Sequence, residues 1–188
     1  MPETRSPIDL NGVNLIEFQR LLDERRLPPV ESWHPDHCGD SGMRILSDGT
    51  WLHEGRPMKR PAMVRLFSTI LRREPDGTFV LVTPVEKLTI EVDLTPFVAV
   101  EVRNEGGGRD RRLAFRLSTD DVVILGPQHP LRMEEGEHGP SPRILVRGGL
   151  EAALARPVYY ELAEHALAEG SDPPGLWSDG AFFPMAAE

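Results

Sequence analysis

Cysteine is almost missing from this sequence, since Cys38 is the only one in 188 residues. A single cysteine excludes a disulfide within the chain and is typical of a reducing compartment. Long apolar runs are missing too: stretches such as 97–100 and 122–125 are strand-sized, whereas a membrane-spanning helix needs about 20 apolar residues. The first residues also lack the apolar core of a secretory signal. We therefore expect a cytoplasmic protein without a membrane partner.

Positive charge is in short supply. Thirty Asp and Glu residues against twenty-one Lys and Arg residues give a formal net charge of −9. This balance favours solubility and argues against nucleic acid as a partner, because a polyanion is repelled by an acidic surface. At 39% apolar and 27% charged residues, the composition is that of a globular protein, with enough chain for one large domain or two small ones.

Motifs that specify a reaction are also missing. The sequence contains no GxGxxG, GxSxG or HExxH, and no phosphate-binding loop. Gly106–Gly108 is followed by Arg109 rather than by Lys and a hydroxyl residue, and it lies between two alternating segments, so we predict a hairpin tip. We therefore assign no catalytic residue, and the sequence identifies no cofactor.

The first part of the chain predicts a helix followed by a hairpin. A cap at Asn14 and the pair Pro28–Pro29 bound the helix. The turn residues 47–49 include Asp-Gly, a strong hairpin sequence, and predict a hairpin between strands at 43–46 and 51–53.

A second helix is predicted from Pro61, which suits the first helical position. Its apolar stripe is formed by Met63, Leu66, Phe67, Ile70 and Leu71. Arg72 and Arg73 complement the negative end of that helix, and residues 75–77 close the segment. We place a domain boundary there, which gives domains of residues 1–77 and 78–188.

Beyond Gly77 the apolar residues alternate, as they do in strands with one buried face. Seven strands are predicted, at 79–82, 88–92, 98–102, 113–117, 122–125, 131–133 and 144–146. This number favours an antiparallel sandwich or partly open barrel. Residues 134–142 are predicted to be a mobile loop, and a C-terminal helix is predicted from Pro157 to Ala168. The fold class is therefore α+β.

One segment of the sequence is repeated. The triplet at 44–46, Arg-Ile-Leu, recurs at 143–145, and each copy is followed by a turn, an apolar strand and Arg-Pro, at 60–61 and 156–157. We interpret this as a duplicated hairpin-plus-helix core; the alternative is two generic strand-to-helix passages. A duplication implies a groove between the halves, where ligand pockets often form.

Possible functional side chains are densest at residues 33–40, which contain two histidines, a thiol and two carboxylates. The spacing of His34, His37 and Cys38 matches no standard zinc pattern, so we predict no metal site. Cys38 with His34 or His53 as base would suit a thiol-dependent hydrolase, although such a cysteine is more often a small buried packing residue. Arg147, before two glycines, suits an anion or a plain turn.

Six motifs follow one another along the chain: Trp-His-Pro-x-x-Cys-Gly at 33–39, Asp-Gly-x-Trp at 48–51, Arg-Leu-Phe-Ser at 65–68, Leu-Val-Thr-Pro-Val-Glu-Lys at 81–87, His-Pro-Leu at 129–131 and Val-Arg-Gly-Gly-Leu-Glu-Ala at 146–152. Their order resembles the bacterial family catalogued as domain of unknown function 1285. The resemblance implies a duplicated core, a C-terminal domain similar to pleckstrin-homology folds, and a signalling role with a nucleotide-like ligand between the domains.

Our leading hypothesis is a non-enzymatic sensor or regulatory module that binds a small anionic, nucleotide-like ligand between its two domains. Lys87 and Arg147 would neutralise phosphate, and a tryptophan would stack on a base. The candidate ligand-binding residues are Trp33, His34, Cys38, Trp51, His53, Glu86, Lys87 and Arg147. The alternatives are a metal- or thiol-dependent hydrolase that uses the loop at 33–40, and a protein-interaction adaptor.

Overall fold

The computed structural model describes residues 27–186, and within that range the chain forms 14 strands and 2 α-helices. Twelve of the strands belong to two six-stranded curled sheets. The helix predicted to begin at Asn14 lies outside the described residues. Neither of the two described helices is long and apolar enough to cross a membrane. The α+β class is confirmed.

The first sheet has the strand order β3-β2-β1-β6-β5-β4. Its strands are β1 (His37–Ile45), β2 (Trp51–His53), β3 (Arg56–Pro57), β4 (Leu71–Arg73), β5 (Phe79–Val82) and β6 (Glu86–Val92). The central pair, β1 and β6, is parallel, and the other neighbours are antiparallel. Helix α1 (Pro61–Thr69) connects β3 to β4 and has proline in its first turn, as predicted.

The second sheet has the order β10-β11-β12-β7-β8-β9. Its strands are β7 (Phe97–Glu105), β8 (Arg112–Leu117), β9 (Val122–Ile124), β10 (Leu131–Gly136), β11 (Gly139–Arg147) and β12 (Leu150–Leu154). Helix α2 (Arg156–Glu169) follows, and then a hairpin of β13 (Gly175–Ser178) and β14 (Ala181–Pro184). Val158, Leu162 and Ala166 form the buried face of α2.

The two sheets have the same topology, but not through the repeat predicted from the sequence. If six is added to each strand number of the first sheet, the series becomes β9-β8-β7-β12-β11-β10, which is the order of the second sheet read from its other edge. The central pair of the second sheet, β7 and β12, is parallel, as is the central pair of the first. Both Arg-Ile-Leu triplets do lie on hairpins that precede a helix. However, β1 is central in its sheet whereas β11 is one strand away from the centre. The two hairpin-plus-helix units are therefore not equivalent in position.

The strands beyond Gly77 do not all join one sheet. β5 and β6 hydrogen-bond within the first sheet, because β6 pairs with β1 and β5 pairs with both β4 and β6. The chain passes to the second sheet only at residues 93–96, between β6 and β7. All seven predicted strands exist, but the single sandwich or barrel expected for them does not, because two of the seven complete the first sheet.

Two local predictions were wrong. Arg72 and Arg73 do not end α1 but lie on β4, because Leu71 pairs with Leu81 and the turn at 74–78 closes a hairpin. Residues 134–142 are not a loop, since β10 and β11 pair along most of that stretch. The predicted stripe of α1 is also only partly buried: Leu66 is 58% exposed, and the fully buried residue of the helix is Ser68.

A single hydrophobic cluster joins both sheets, with Trp51 from the first and Phe97 and Phe115 from the second. The β1–β2 turn approaches the second sheet closely at Gly49, where a Cβ atom would lie 2.9 Å from Cβ of Ser118. Gly49 also has φ +89°, a conformation that favours glycine. The Asp-Gly turn therefore serves both the hairpin and the contact between sheets.

We expect Gly49→Ala to destabilise the protein more than Gly55→Ala. Both glycines have positive φ, but a Cβ at Gly55 meets nothing within 4 Å. The difference in free energy of unfolding should be roughly 1–2 kcal/mol, the cost of overpacking at Ser118. Urea denaturation measures it, and equal losses in the two variants would contradict the close approach.

Glu151 on β12 accepts hydrogen bonds from Nε and Nη2 of Arg132, the latter at 2.8 Å. These bonds, more than the nearby charges of Arg132 and Arg143, hold the pKa of Glu151 below its usual value of 4.5. A depressed carboxyl pKa stabilises the folded state above the unfolded pKa, and this stabilisation is lost as pH falls through the folded pKa.

We therefore expect the free energy of unfolding of wild type to fall more steeply below pH 4.5 than that of Glu151→Gln. At pH 7 the variant should lose at most about 1 kcal/mol, because Arg132 is half-exposed and the pair is screened by water. Urea titrations at several pH values test this. Parallel pH profiles for the two proteins would show that the pair does not contribute.

Candidate functional site

Three cavities lined by residues of the described range 27–186 contain or adjoin the residues singled out in the sequence. The polar cleft has a volume of about 320 Å³ and is lined by Glu31, His34, Pro35, Arg72, Arg73, Glu74, Pro75 and Lys87. The junction cavity, about 230 Å³, lies between the β1–β2 turn with α1 and the β8–β9 turn. The apolar cavity, about 220 Å³, lies between residues 27–31 and the β11–β12 turn.

Arg72 builds the floor of the polar cleft. Its side chain is 7% exposed, and its Nη1 donates to the carbonyl oxygens of Val30 (2.8 Å) and Trp33 (2.7 Å). Its Nε and Nη2 donate to Oε1 of Glu74, at 3.0 and 2.6 Å. Burying a cation is costly unless it is paired and hydrogen-bonded. Arg72 donates a hydrogen bond from each of its three guanidinium nitrogens. It therefore fixes the segment before β1 against β4.

Lys87 forms the opposite wall, on β6. Its Nζ lies 3.8 Å from Oε1 of Glu74, an ion pair rather than a close hydrogen bond. An ammonium group has three donors, so Lys87 keeps capacity for a ligand. Its strand partner across β1 is Cys38, and across β5 it is Val82.

His34 and Arg73 lie at the rim of the cleft and are exposed. His34 makes no hydrogen bond or ion pair with the described part of the chain. Arg73 donates from Nη1 to the carbonyl oxygen of Gly149, at 3.3 Å, and its guanidinium lies 5.9 Å from the ring centre of Phe79. Together with Lys87, His34 and Arg73 thus give the cleft three basic side chains that can donate to a bound molecule.

The cleft is locally positive in an acidic protein. Its lining has three cations, Arg72, Arg73 and Lys87, against the carboxylates of Glu31 and Glu74, which leaves +1 before any charge on His34. The whole chain carries −9. The Arg72–Glu74 pair is neutral as a unit, so a ligand would meet mainly Arg73, Lys87 and Glu31.

The loop predicted at 33–40 is partly strand, since β1 begins at His37. His37 pairs with Glu86 and Cys38 with Lys87 across β6. Neighbouring residues of a strand point to opposite faces, so His37 and Cys38 do not converge. Cys38 is exposed, which is not the buried packing role considered from the sequence.

Two of the predicted ligand residues lie elsewhere. His53 pairs with Met43, which lies five residues along β1 from Cys38 and beyond the irregularity between Asp40 and Arg44. Trp51 lines the junction cavity but is only 2% exposed, so its ring belongs to the core. No group of three or more His, Cys, Asp or Glu residues within 27–186 is arranged to hold a metal ion.

Arg147 does not reach the polar cleft. It lines the apolar cavity, donates from Nη2 to the carbonyl oxygen of Ser68 at 2.7 Å, and stacks 5.2 Å from the ring centre of Phe97. Burial lowers the pKa of its guanidinium. Its contacts join α1 to the second sheet, so Arg147 has a structural role between them.

Of the eight predicted residues, the cleft therefore contains His34 and Lys87. Trp33 precedes His34 and is half-buried, and Glu86 precedes Lys87 on the other face of β6. Sequence reasoning missed Glu31, Arg72, Arg73 and Glu74. Arg72 and Arg73 fit the basic end of the helix predicted from Pro61, and only the pairing of β4 with β5 makes them part of a strand.

Family models match almost all of the described chain. The model for the DUF1285 N-terminal domain matches residues 28–95, and the model for the DUF1285 C-terminal domain matches residues 96–185; both are described as domains or proteins of unknown function. The chain belongs to the DUF1285 family. The limit between the two models coincides with the passage from the first sheet to the second.

Solved structures agree with this assignment. A DUF1285 family protein from Silicibacter pomeroyi DSS-3 is 44% identical, with a TM-score of 0.80 over 93% of this chain and 95% of that one. A DUF1285 family protein from Shewanella baltica OS155 is 23% identical, with a TM-score of 0.52 over 65% of this chain and 91% of that one, and it shows likeness of fold alone. No curated protein matches the chain.

Replacing Arg72 should destabilise this DUF1285 protein strongly. Arg72→Met leaves Glu74 without its buried partner and two backbone carbonyls without donors, so the free energy of unfolding should fall by roughly 3 kcal/mol. Arg73→Met, one residue along the same strand, is the matched control and should cost less than about 1 kcal/mol because Arg73 is exposed. Urea denaturation compares them. Similar losses in both would mean that Arg72 does not hold the cleft.

Proposed function

We propose that this DUF1285 protein is a regulatory or sensor protein that binds a small anionic ligand in the polar cleft. The observation that carries the proposal is the convergence of Arg73, Lys87 and His34 around one cavity in a chain with an excess of acid. Basic side chains with unused donors are what phosphate and carboxylate groups bind.

The ligand is expected to be small and to carry hydrogen-bond donors as well as an anionic group. A cavity of about 320 Å³ is near the lower end for ligand pockets. Glu31, also in the lining, offers a carboxylate that would accept from a hydroxyl or amino group and would repel a second anion. A nucleotide has this combination, and Trp33, next to His34, is the tryptophan to test for stacking on a base.

This proposal differs from the one made from the sequence in the residues it uses. Arg147 is engaged by Ser68 and Phe97, and Trp51 is part of the core. Phosphate neutralisation is therefore assigned to Lys87 and Arg73. The cleft lies on the first sheet and meets the second at its rim, where Arg73 donates to the β11–β12 turn.

The hydrolase alternative has weaker support. It required His34, His37, Cys38 and His53 to converge, whereas His37 and Cys38 alternate along β1 and His53 lies near its far end. The adaptor alternative required a large exposed apolar surface. Tyr160 and Leu167 of α2 are 57% and 69% exposed, but two such side chains do not make the patch of several hundred Å² that marks an interaction site.

The proposal is tested by titrating the protein with inorganic pyrophosphate and with nucleoside diphosphates, by calorimetry and by thermal unfolding. A ligand at 100 times its Kd should stabilise the folded state by about 2.7 kcal/mol. Lys87→Met should weaken binding by roughly tenfold or more, since a hydrogen bond to a charged group is worth about 1.5–3 kcal/mol.

The chain offers a matched control, because Lys59 is the only other lysine and is exposed outside the cleft lining. Lys59→Met should leave the affinity unchanged. An anion site at Lys87 would be contradicted if none of these anions stabilised the protein at millimolar concentration. It would also be contradicted if the two lysine variants lost affinity equally.

A further inference from the structure

The rim of the polar cleft holds one turn of the second sheet. Arg73, which lines the cleft, donates to the carbonyl oxygen of Gly149 in the β11–β12 turn, at 3.3 Å. Glu31, which also lines the cleft, has its Oε1 3.1 Å from the position that a Cβ atom of Gly148 would occupy. Two residues of opposite charge thus contact both the cleft and the turn.

The sequence of the turn permits this approach. Gly148 and Gly149 have φ +51° and +74°. Gly148 also lacks the Cβ atom that would press on Glu31, whereas a Cβ at Gly149 would make only an ordinary contact with Cδ of Arg73, at 3.5 Å. Other residues adopt these angles at a cost. The Gly-Gly pair therefore lets the backbone of the second sheet lie directly against the cleft wall.

The turn leads straight into the junction of the two sheets. Arg147 directly precedes the turn and donates from Nη2 to the carbonyl oxygen of Ser68, in the last turn of α1, at 2.7 Å. The same guanidinium stacks on Phe97 at the start of β7. A change in the conformational order of the β11–β12 turn would thus occur beside the contacts of Arg147 that join the two sheets.

We propose that Arg73 links occupancy of the cleft to the order of the β11–β12 turn, an inference that rests on the proposed function. A guanidinium has five N–H donors in a rigid fork, so Arg73 can bind an anion and Gly149 together. An exposed arginine loses side-chain freedom on making either bond. Once a bound anion has ordered the side chain of Arg73, the hydrogen bond from Arg73 to Gly149 forms more readily. By linkage, an ordered turn raises the affinity of the cleft for the anion by the same factor.

The experiment is amide hydrogen exchange over residues 147–151 of the full chain, with and without saturating inorganic pyrophosphate. In wild type, pyrophosphate should slow exchange in the turn by roughly threefold, the change expected from strengthening one exposed hydrogen bond. Arg73→Lys should bind pyrophosphate more weakly. At saturation it should show no slowing in the turn, because one ammonium cannot replace the fork.

Arg56→Lys is the control, since Arg56 is exposed on β3 and outside the cleft lining. It should retain both binding and slowing. If pyrophosphate binds to wild type without slowing exchange in the turn, or if Arg73→Lys slows as wild type does, the link through Arg73 is overturned and the anion site stands. If calorimetry detects binding of neither pyrophosphate nor the nucleoside diphosphates to wild type, both proposals are overturned.

Discussion

The buried guanidinium of Arg72 is the interaction on which the cleft depends. A cation that is 7% exposed needs a partner for each face of its fork, and Arg72 finds them in Glu74 and in two carbonyl groups of the segment before β1. That one side chain therefore sets the distance between the segment carrying His34 and the strand carrying Arg73. It also orients Glu74 toward Lys87. The same contacts hold the walls of the cleft without any further group, so the proposed binding would not need to order them.

Features decided by neighbours in the chain could be predicted from the sequence. The hairpin at Asp48-Gly49, the glycine tip at 106–108 and the proline start of α1 all follow from turn and cap chemistry. Arg72 could not be assigned in this way. Arginines after an apolar stripe fit a helix end, and only the pairing of Leu71 with Leu81 makes the same residues a strand. Sheet pairing, rather than local propensity, decides such a segment.

The repeat illustrates the same limit at the level of the fold. The matching Arg-Ile-Leu triplets are local resemblances, each on a strand that enters a hairpin. The equivalence of the sheets instead depends on the parallel pairs β1–β6 and β7–β12, each of which joins the first and last strands of a six-strand series. No short sequence pattern encodes that long-range pairing. For the site, the same argument explains why His34 and Lys87 could be nominated singly but not placed together with Arg73.

The acidity of the whole chain and the basicity of the cleft do not conflict. At physiological ionic strength the Debye length is about 8 Å, so a small anion in the cleft responds mainly to the charges that line it. Arg73, Lys87 and Glu31 then matter more than the net charge of −9. Under the proposed function a long polyanion such as nucleic acid is disfavoured, because it would extend beyond the cleft to the rest of a chain whose net charge is −9. The proposed preference for a small anion over a polyanion thus rests on the size of the positive region.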